Sequence, residues 1–429
     1  MTTIAHPISA RTRVAGALRT ETGLARLALG AVALHTVDDA FLQPNPGTSA
    51  ADHLASGLIP TSLLLATAWA YPRLRAGFRA ALAFVFGFFA LMSSTEAVHY
   101  TRQVGPSGDD FTGLLAIPAG FLLIGLGAVT LWRSRRTDDR LWWRYSRRLL
   151  VGTGALLLAA VVGYTVAFAY AITHALRAEV PPADLGAPYE NVEFTTSDGL
   201  RLKGWYIESR NGAAVISFPG RASSQKRAKM LADHGYGVLL FDRRGEGESE
   251  GDPNLLGWQG ERDIHAAVEF LQRRPDVDPE RIGGIGLSVG GEMMIEAAAE
   301  STALKAIVSE GGSGRSVRDD LANGGATWDL IVGRAVFTGA ASLFTSDLPP
   351  ADLKSLVPKV SAATFFVYGE HGQPDEKPAN EGFYAAAHEP KRIWEVPGSK
   401  HMGGIEAQPE EYERRVVGFF DEALLKQSR

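Results

Sequence analysis

Gly286-Leu287-Ser288-Val289-Gly290 sets a serine between two glycines, after the apolar run Ile282 to Leu287 and before a helix-compatible run from Glu292 to Ala299. Strand, sharp turn and helix in that order present a hydroxyl at the carboxyl end of a sheet. Side chains at Gly286 and Gly290 would collide with the neighbouring strand and helix, so the flanking glycines are part of the chemistry. The helix amino terminus beneath the serine favours developing negative charge. A chain with 47 glycines also generates such a pattern as a plain strand-to-helix turn. What separates a nucleophile at Ser288 from that reading is the context on either side.

The elements that would position Ser288 occupy the second part of a 429-residue chain, which is long enough for two or three domains. Around Pro181-Pro182 the composition changes. Before it, apolar runs alternate with arginine clusters; after it, the pattern is that of an α/β domain. The boundaries read as a helical multi-span transmembrane domain at 1–177, a proline-rich linker at 178–190 and an α/β domain at 191–429. A net charge of −5 argues against a nucleic-acid partner. The absence of cysteine excludes disulfides and thiolate chemistry.

Five candidate spans fall at 24–42, 54–71, 76–100, 111–132 and 149–174, each near the ~20 apolar residues that cross a bilayer core. The first is interrupted by His35, Asp38 and Asp39. Arg11, Arg13, Arg19 and Arg26 flank it, Arg73, Arg75 and Arg79 join the second to the third, and Arg133 to Arg148 join the fourth to the fifth. Positive-inside logic then puts the amino terminus in the cytoplasm and the domain after the fifth span on the extracytoplasmic face. His35, Asp38 and Asp39 share one helix face, as do Glu96 and His99. Such groups could bind a metal or relay protons. Polar helix ends meeting interfacial water is the plainer account, and the expectation is no metal and no cofactor.

After the linker, strand patterns at 191–196 and 200–207 flank Ser197-Asp198-Gly199, a hairpin signal. Strands at 213–218, 237–242, 282–287, 303–309, 363–368 and 391–396 alternate with helices at 226–234, 261–273, 380–387 and 410–425. Such alternation indicates a doubly wound, mostly parallel sheet.

With these segments placed, the region from Asn191 onward resembles the α/β-hydrolase superfamily of serine hydrolases, and membrane-attached actinobacterial versions in particular. Three further segments carry the resemblance: Phe218-Pro219-Gly220-Arg221, where the family has its His-Gly turn; Gly235 to Ser249, which follows its strand-and-turn pattern; and Val396-Pro397-Gly398-Ser399-Lys400-His401. It implies a nucleophile at Ser288, a general base at His401, and an oxyanion hole from the backbone N–H groups of Val289 and Arg221. Asp242, Arg244 and Gly247 would hold the turn beside the site.

The acid departs from the pattern. The position where the family commonly has aspartate, three residues after Gly369, is Gly372. Glu376 is the first choice within a loop at 370–377, Asp375 the second and Glu310 the third. An insertion at 311–350 stands where hydrolases often carry a cap, and its apolar run 328–344 could roof an acyl pocket or rest on a membrane. The function expected is a membrane-anchored serine hydrolase of esters, thioesters or amides. Its partners would be membrane lipids and a small-molecule or lipid-like acyl substrate. The alternative is a membrane sensor or transport accessory with a non-catalytic, hydrolase-like binding domain.

Overall fold

The computed structural model describes residues 20–134, 140–158, 162–253, 255–323 and 327–426. Arg11, Arg13, Arg19, Arg135 and Arg136, and positions 159–161 of the fifth expected span, lie outside the described residues. Two compact units emerge. One comprises Met1–Asn45, Ser49–Tyr164 and Leu343–Ser346; the other comprises Pro46–Thr48, Thr165–Ser342 and Asp347–Arg429.

The first unit is helical. Helix α1 (Glu21–Val37) is capped by Thr20, whose Oγ1 accepts from Gly23 N at 3.0 Å, and runs into a wide turn at Asp38–Leu42. It is followed by α2 (Leu54–Ala70), α3 (Ala76–Ser93), α4 (Thr95–Val104), α5 (Asp110–Arg133) and α6 (Leu141–Leu158). Three helical stretches are long and apolar enough to cross a membrane: Leu54–Arg73, Ala76–Val104 and Asp110–Arg133. The first expected span is divided between α1 and its terminal turn. The fifth falls on α6 and a shorter apolar helix, α7 (Tyr164–Thr173).

Small residues bring α3 and α5 together. Ala80, Ala83, Gly87 and Ala90 form one buried stripe, and a Cβ at Gly87 would lie 3.0 Å from the Gly120 carbonyl. The large side chains point outward instead, with Phe78 65%, Phe88 57% and Phe121 62% exposed. The two backbones are thus close-packed through small residues, with the aromatic side chains outside.

His35 and Asp38 share a partner that His99 does not. The two ring nitrogens of His35 lie 3.3 Å from Thr112 Oγ1 and 3.2 Å from the Ser93 carbonyl. Asp38 accepts from Thr112 Oγ1 at 2.7 Å and from Gln43 Nε2 at 3.0 Å. His99 instead faces Gln103, its neighbour one turn on, at 3.2 Å. His35 and Asp38 thus stitch α1 to α3 and α5. Among the described residues, no group of three or more His, Asp or Glu side chains is placed to hold a metal ion.

The second unit is built on an eight-stranded sheet of order β1-β2-β4-β3-β5-β6-β7-β8. Its strands are β1 (Glu190–Thr195), β2 (Arg201–Ile207), β3 (Ala214–Phe218), β4 (Gly237–Phe241), β5 (Ile282–Leu287), β6 (Ala306–Glu310), β7 (Ala363–His371) and β8 (Lys391–Lys400). Strand β2 pairs antiparallel with β1 and β4; the remaining pairs are parallel. The continuous apolar runs in β3 and β4 follow from this, since every residue of both is buried between helical layers. The helices are α8 (Gln225–Asp233), α9 (Gly260–Gln272), α10 (Val289–Glu300), α11 (Val317–Asn323), α12 (Trp328–Phe344), α13 (Leu353–Leu356), α14 (Glu376–Ala386), α15 (Gly404–Ala407) and α16 (Pro409–Phe420). The mostly parallel sheet agrees with the sequence reading. The carboxyl ends of β5, β6, β7 and β8 lie side by side, and the crevice outside such ends is where open α/β sheets bind ligands.

Candidate active site

Strand β5 ends at Leu287, opposite Glu310 on β6, and the next residue is Ser288. Ser288 N donates to the Glu310 carbonyl at 2.8 Å, holding the turn to the sheet. The serine has φ 51° and ψ −123°, a conformation that costs of order 1–3 kcal/mol and persists only where the surroundings over-determine it. The surroundings here are glycines. A Cβ at Gly286 would lie 2.2 Å from the Gly290 carbonyl oxygen, and one at Gly290 would lie 3.0 Å from Phe218 Cδ1. The close approach extends to Gly291, where a Cβ would meet Ser309 Oγ at 2.5 Å.

His401 follows the last residue of β8. Its Nε2 lies 3.0 Å from Ser288 Oγ, and its Nδ1 is hydrogen-bonded to Glu376 Oε1. Glu376 is 1% exposed, and the same oxygen accepts from Gln373 N at 2.7 Å. The sequence places Glu376 in a loop at 370–377, whereas helix α14 begins at this residue. Gly372 explains how a glutamate reaches the histidine. A Cβ there would lie 2.4 Å from Glu376 Oε2 and 2.7 Å from its Cδ. The carboxylate of residue 376 therefore fills the space that a side chain at 372 would enter.

The other two acid candidates lie elsewhere. Asp375 stands at the N-cap position of α14 with no capping hydrogen bond from its side chain, which is 42% exposed, and Arg334 lies 4.0 Å away. Glu310 is buried in a network. Its Oε2 accepts from Arg227 Nε at 3.0 Å, Arg227 Nη2 at 2.8 Å and the Tyr412 hydroxyl at 2.5 Å, while Oε1 accepts from Gly404 N at 3.0 Å. Arg227 Nη2 also donates to the Met402 carbonyl at 2.8 Å. Glu310 and Arg227 thus grip the backbone on the far side of His401. Removing one partner of such a buried pair costs about 3–5 kcal/mol. The sequence reading missed Arg227 and Tyr412, which come from helices distant in sequence and belong to no local motif.

Val289 opens α10, where the first N–H groups have no intrahelical acceptor. Arg221 differs from its expected part. Its N–H donates to Asp242 Oδ1 at 3.0 Å, and its guanidinium binds Asp242 Oδ2 and, at 2.9 Å, Glu248. That backbone donor is engaged within the turn, which corrects its assignment as a ready oxyanion contact. Asp242 does hold the turn, and Gly247 is required beside it: φ is 52°, and a Cβ would lie 2.0 Å from Asp242 Oδ2. Arg244 binds the fully buried Asp263 and, at 2.9 Å, Asp198.

Glu292, one turn beyond Ser288, is a further buried carboxyl with no sequence signal. Its Oε1 accepts from Ser313 N at 3.2 Å. Burial pushes its pKa up to about 7, against the lowering effect of the Arg315 guanidinium and that hydrogen bond.

Residues 187–375 match the family described as X-Pro dipeptidyl-peptidase (S15 family). The chain is 33% identical over 242 residues to Rv2307c, an uncharacterized protein of Mycobacterium tuberculosis, covering 52% of this chain and 76% of that one. It is also 37% identical over 129 residues to thiohydrolase aneE of Aspergillus aculeatus, covering 28% of this chain and 41% of the relative. Among solved structures, esterase Pf2001 of Pyrococcus furiosus aligns with a TM-score of 0.47 at 22% identity, over 58% of this chain and 98% of its own.

A pH dependence follows from Glu292. Between the ordinary value of 4.5 and about 7 the folded state holds a proton that the unfolded state has lost. Stability from this group is therefore present at low pH and declines as pH rises through about 7, by an amount on the order of 3 kcal/mol. Glu292→Gln should gain thermal stability relative to wild type at pH 8 and not at pH 4.5. A difference between the two proteins that does not change with pH would refute this assignment.

Proposed function

We propose that this chain, which belongs to the α/β-hydrolase superfamily and is a hydrolase, cleaves carboxylic ester, thioester or amide bonds with Ser288, His401 and Glu376 while anchored in a membrane. One observation carries the reaction: a single imidazole faces the serine hydroxyl with Nε2 and a buried carboxylate with Nδ1. The carboxylate holds the proton on Nδ1, so Nε2 is the basic nitrogen. Ser288 Oγ attacks the substrate carbonyl carbon as its proton passes to Nε2, and the carbonyl oxygen takes up the negative charge. The Val289 N–H and the amino end of α10 stabilise that charge. His401 then gives the proton to the leaving oxygen, sulfur or nitrogen. A water activated by the same nitrogen releases the acyl group and restores the serine. No step calls for a metal or cofactor.

Ser288→Ala should abolish both labelling by a fluorophosphonate and turnover of p-nitrophenyl acetate, with the fold retained by circular dichroism. Unchanged turnover in that protein would end this assignment.

Three apolar helices of spanning length and the small-residue contact between α3 and α5 support the membrane attachment. With the sequence-read spans at 24–42 and 149–174 the count would be five, and the arginine asymmetry supports a catalytic domain outside the cytoplasm. Alkaline phosphatase fused after the carboxyl terminus should be active in cells, and green fluorescent protein at the same point should be dark. The reverse pair of results would contradict the outward orientation.

A further inference from the structure

Helix α12 is divided into two faces. Trp328, Val332, Ala335 and Gly339 recur at three- and four-residue spacing, and all four are exposed, Trp328 by 77%. The other face makes the contacts. Arg334 binds Asp320 through Nε at 2.6 Å and Nη2 at 3.1 Å, and lies 4.0 Å from Asp375, the residue before Glu376. Phe337, one turn on, packs against Phe168 of α7 with ring centres 5.8 Å apart, and Ala341 is fully buried. One end of the contact surface thus touches the segment that supplies the carboxylate to His401. The next turn touches an apolar helix.

That apolar helix is tied directly to the catalytic domain. Leu255 N donates to the Ile172 carbonyl at 3.2 Å. Arg177 Nη2 donates to the Gly251 carbonyl at 2.7 Å, and Nη1 to the Ser249 carbonyl. The level at which α7 sits therefore fixes the level of α12. Leu321 and Leu348, on either side of α12 in sequence, are 59% and 79% exposed. The stripe Trp328, Val332, Ala335 and Gly339 carries no charge, the exposed Asp329 lies beside it in the first turn, and the one arginine in the helix is turned into the domain.

We infer that α12 lies in a membrane interface, and that the substrate of Ser288 is an acyl ester resident in that membrane. A helix whose outer stripe is apolar and contains tryptophan rests at the boundary between headgroups and acyl chains, where an acidic residue at its end, here Asp329, meets the headgroup layer. The membrane contact stands on the geometry of α12 and α7; the substrate class rests on the hydrolase reading above.

The 429-residue chain has no cysteine, so Val332→Cys gives it a unique attachment point. The variant, labelled with nitrobenzoxadiazole and reconstituted in phosphatidylcholine vesicles, should be quenched by doxyl-labelled lipid and protected from aqueous iodide. Quenching by iodide without quenching by doxyl would overturn the membrane contact. Protection from both, the sign of a second protein on this face, would overturn it as well. In the same vesicles, Trp328→Asp with Val332→Asp should lower turnover of an incorporated p-nitrophenyl palmitate by about tenfold or more, with p-nitrophenyl acetate turnover kept within about twofold. Equal loss on both esters, or loss on neither, would overturn the substrate class. Should Ser288→Ala leave both turnovers intact, the hydrolase reading fails, and the substrate class with it, while the quenching result still decides where α12 lies.

Discussion

A serine held at φ 51° between β5 and α10 is the constraint from which the rest of the second unit can be read. That conformation exists because Gly286 and Gly290 allow strand, helix and β3 to approach more closely than any side chain would permit. The turn is locked by the bond from Ser288 N to the Glu310 carbonyl, and the side chain of the same Glu310 holds Arg227, Tyr412 and Gly404. One residue at the end of β6 therefore braces the serine with its backbone and the histidine segment with its carboxylate. The distance between Ser288 and His401 is set by the packing of β5 against β6 and of β6 against α8 and α16.

The sheet and its order of elements were legible because buried parallel strands are apolar throughout and helices are periodic. Ser288 and His401 were legible for a different reason: each sits where a strand ends in glycine-rich sequence, and the turn chemistry leaves a local trace. The acid leaves a weaker one. Gly372 reads as a missing residue in sequence, and in three dimensions it is the space that admits Glu376. A glutamate at the start of a helix can replace an aspartate earlier in the loop because its longer side chain spans the added distance. The sequence reading put Glu376 ahead of Asp375, and the direction of the first turn of α14, which sequence spacing does not define, is what brings Glu376 to His401.

The parts that stayed hidden are non-local. Arg227 meets Glu310 across 83 residues and Tyr412 across 185, and neither helix carries a motif that announces the pairing. The engagement of Arg221 N by Asp242 is a property of the turn's backbone, invisible to a residue-by-residue match. In the helical unit, the sequence shows polar residues at common heights and does not show which helix faces which. His35 and Asp38 meet Thr112, whereas His99 pairs within its own helix.

The account depends most on the assignment of Glu376 as the partner of His401, because that contact separates a complete relay from a Ser–His pair lacking its acid. Steady-state kinetics of Glu376→Gln on a soluble ester, beside Asp375→Asn, tests it directly. Loss of the corresponding carboxylate in serine proteases lowers turnover by up to ~10⁴, so Glu376→Gln should lower kcat by about a hundredfold or more with KM nearly unchanged. Asp375→Asn should remain within about threefold of wild type, as expected for an exposed side chain at the start of a helix. A Glu376→Gln enzyme with wild-type kcat would contradict the central claim.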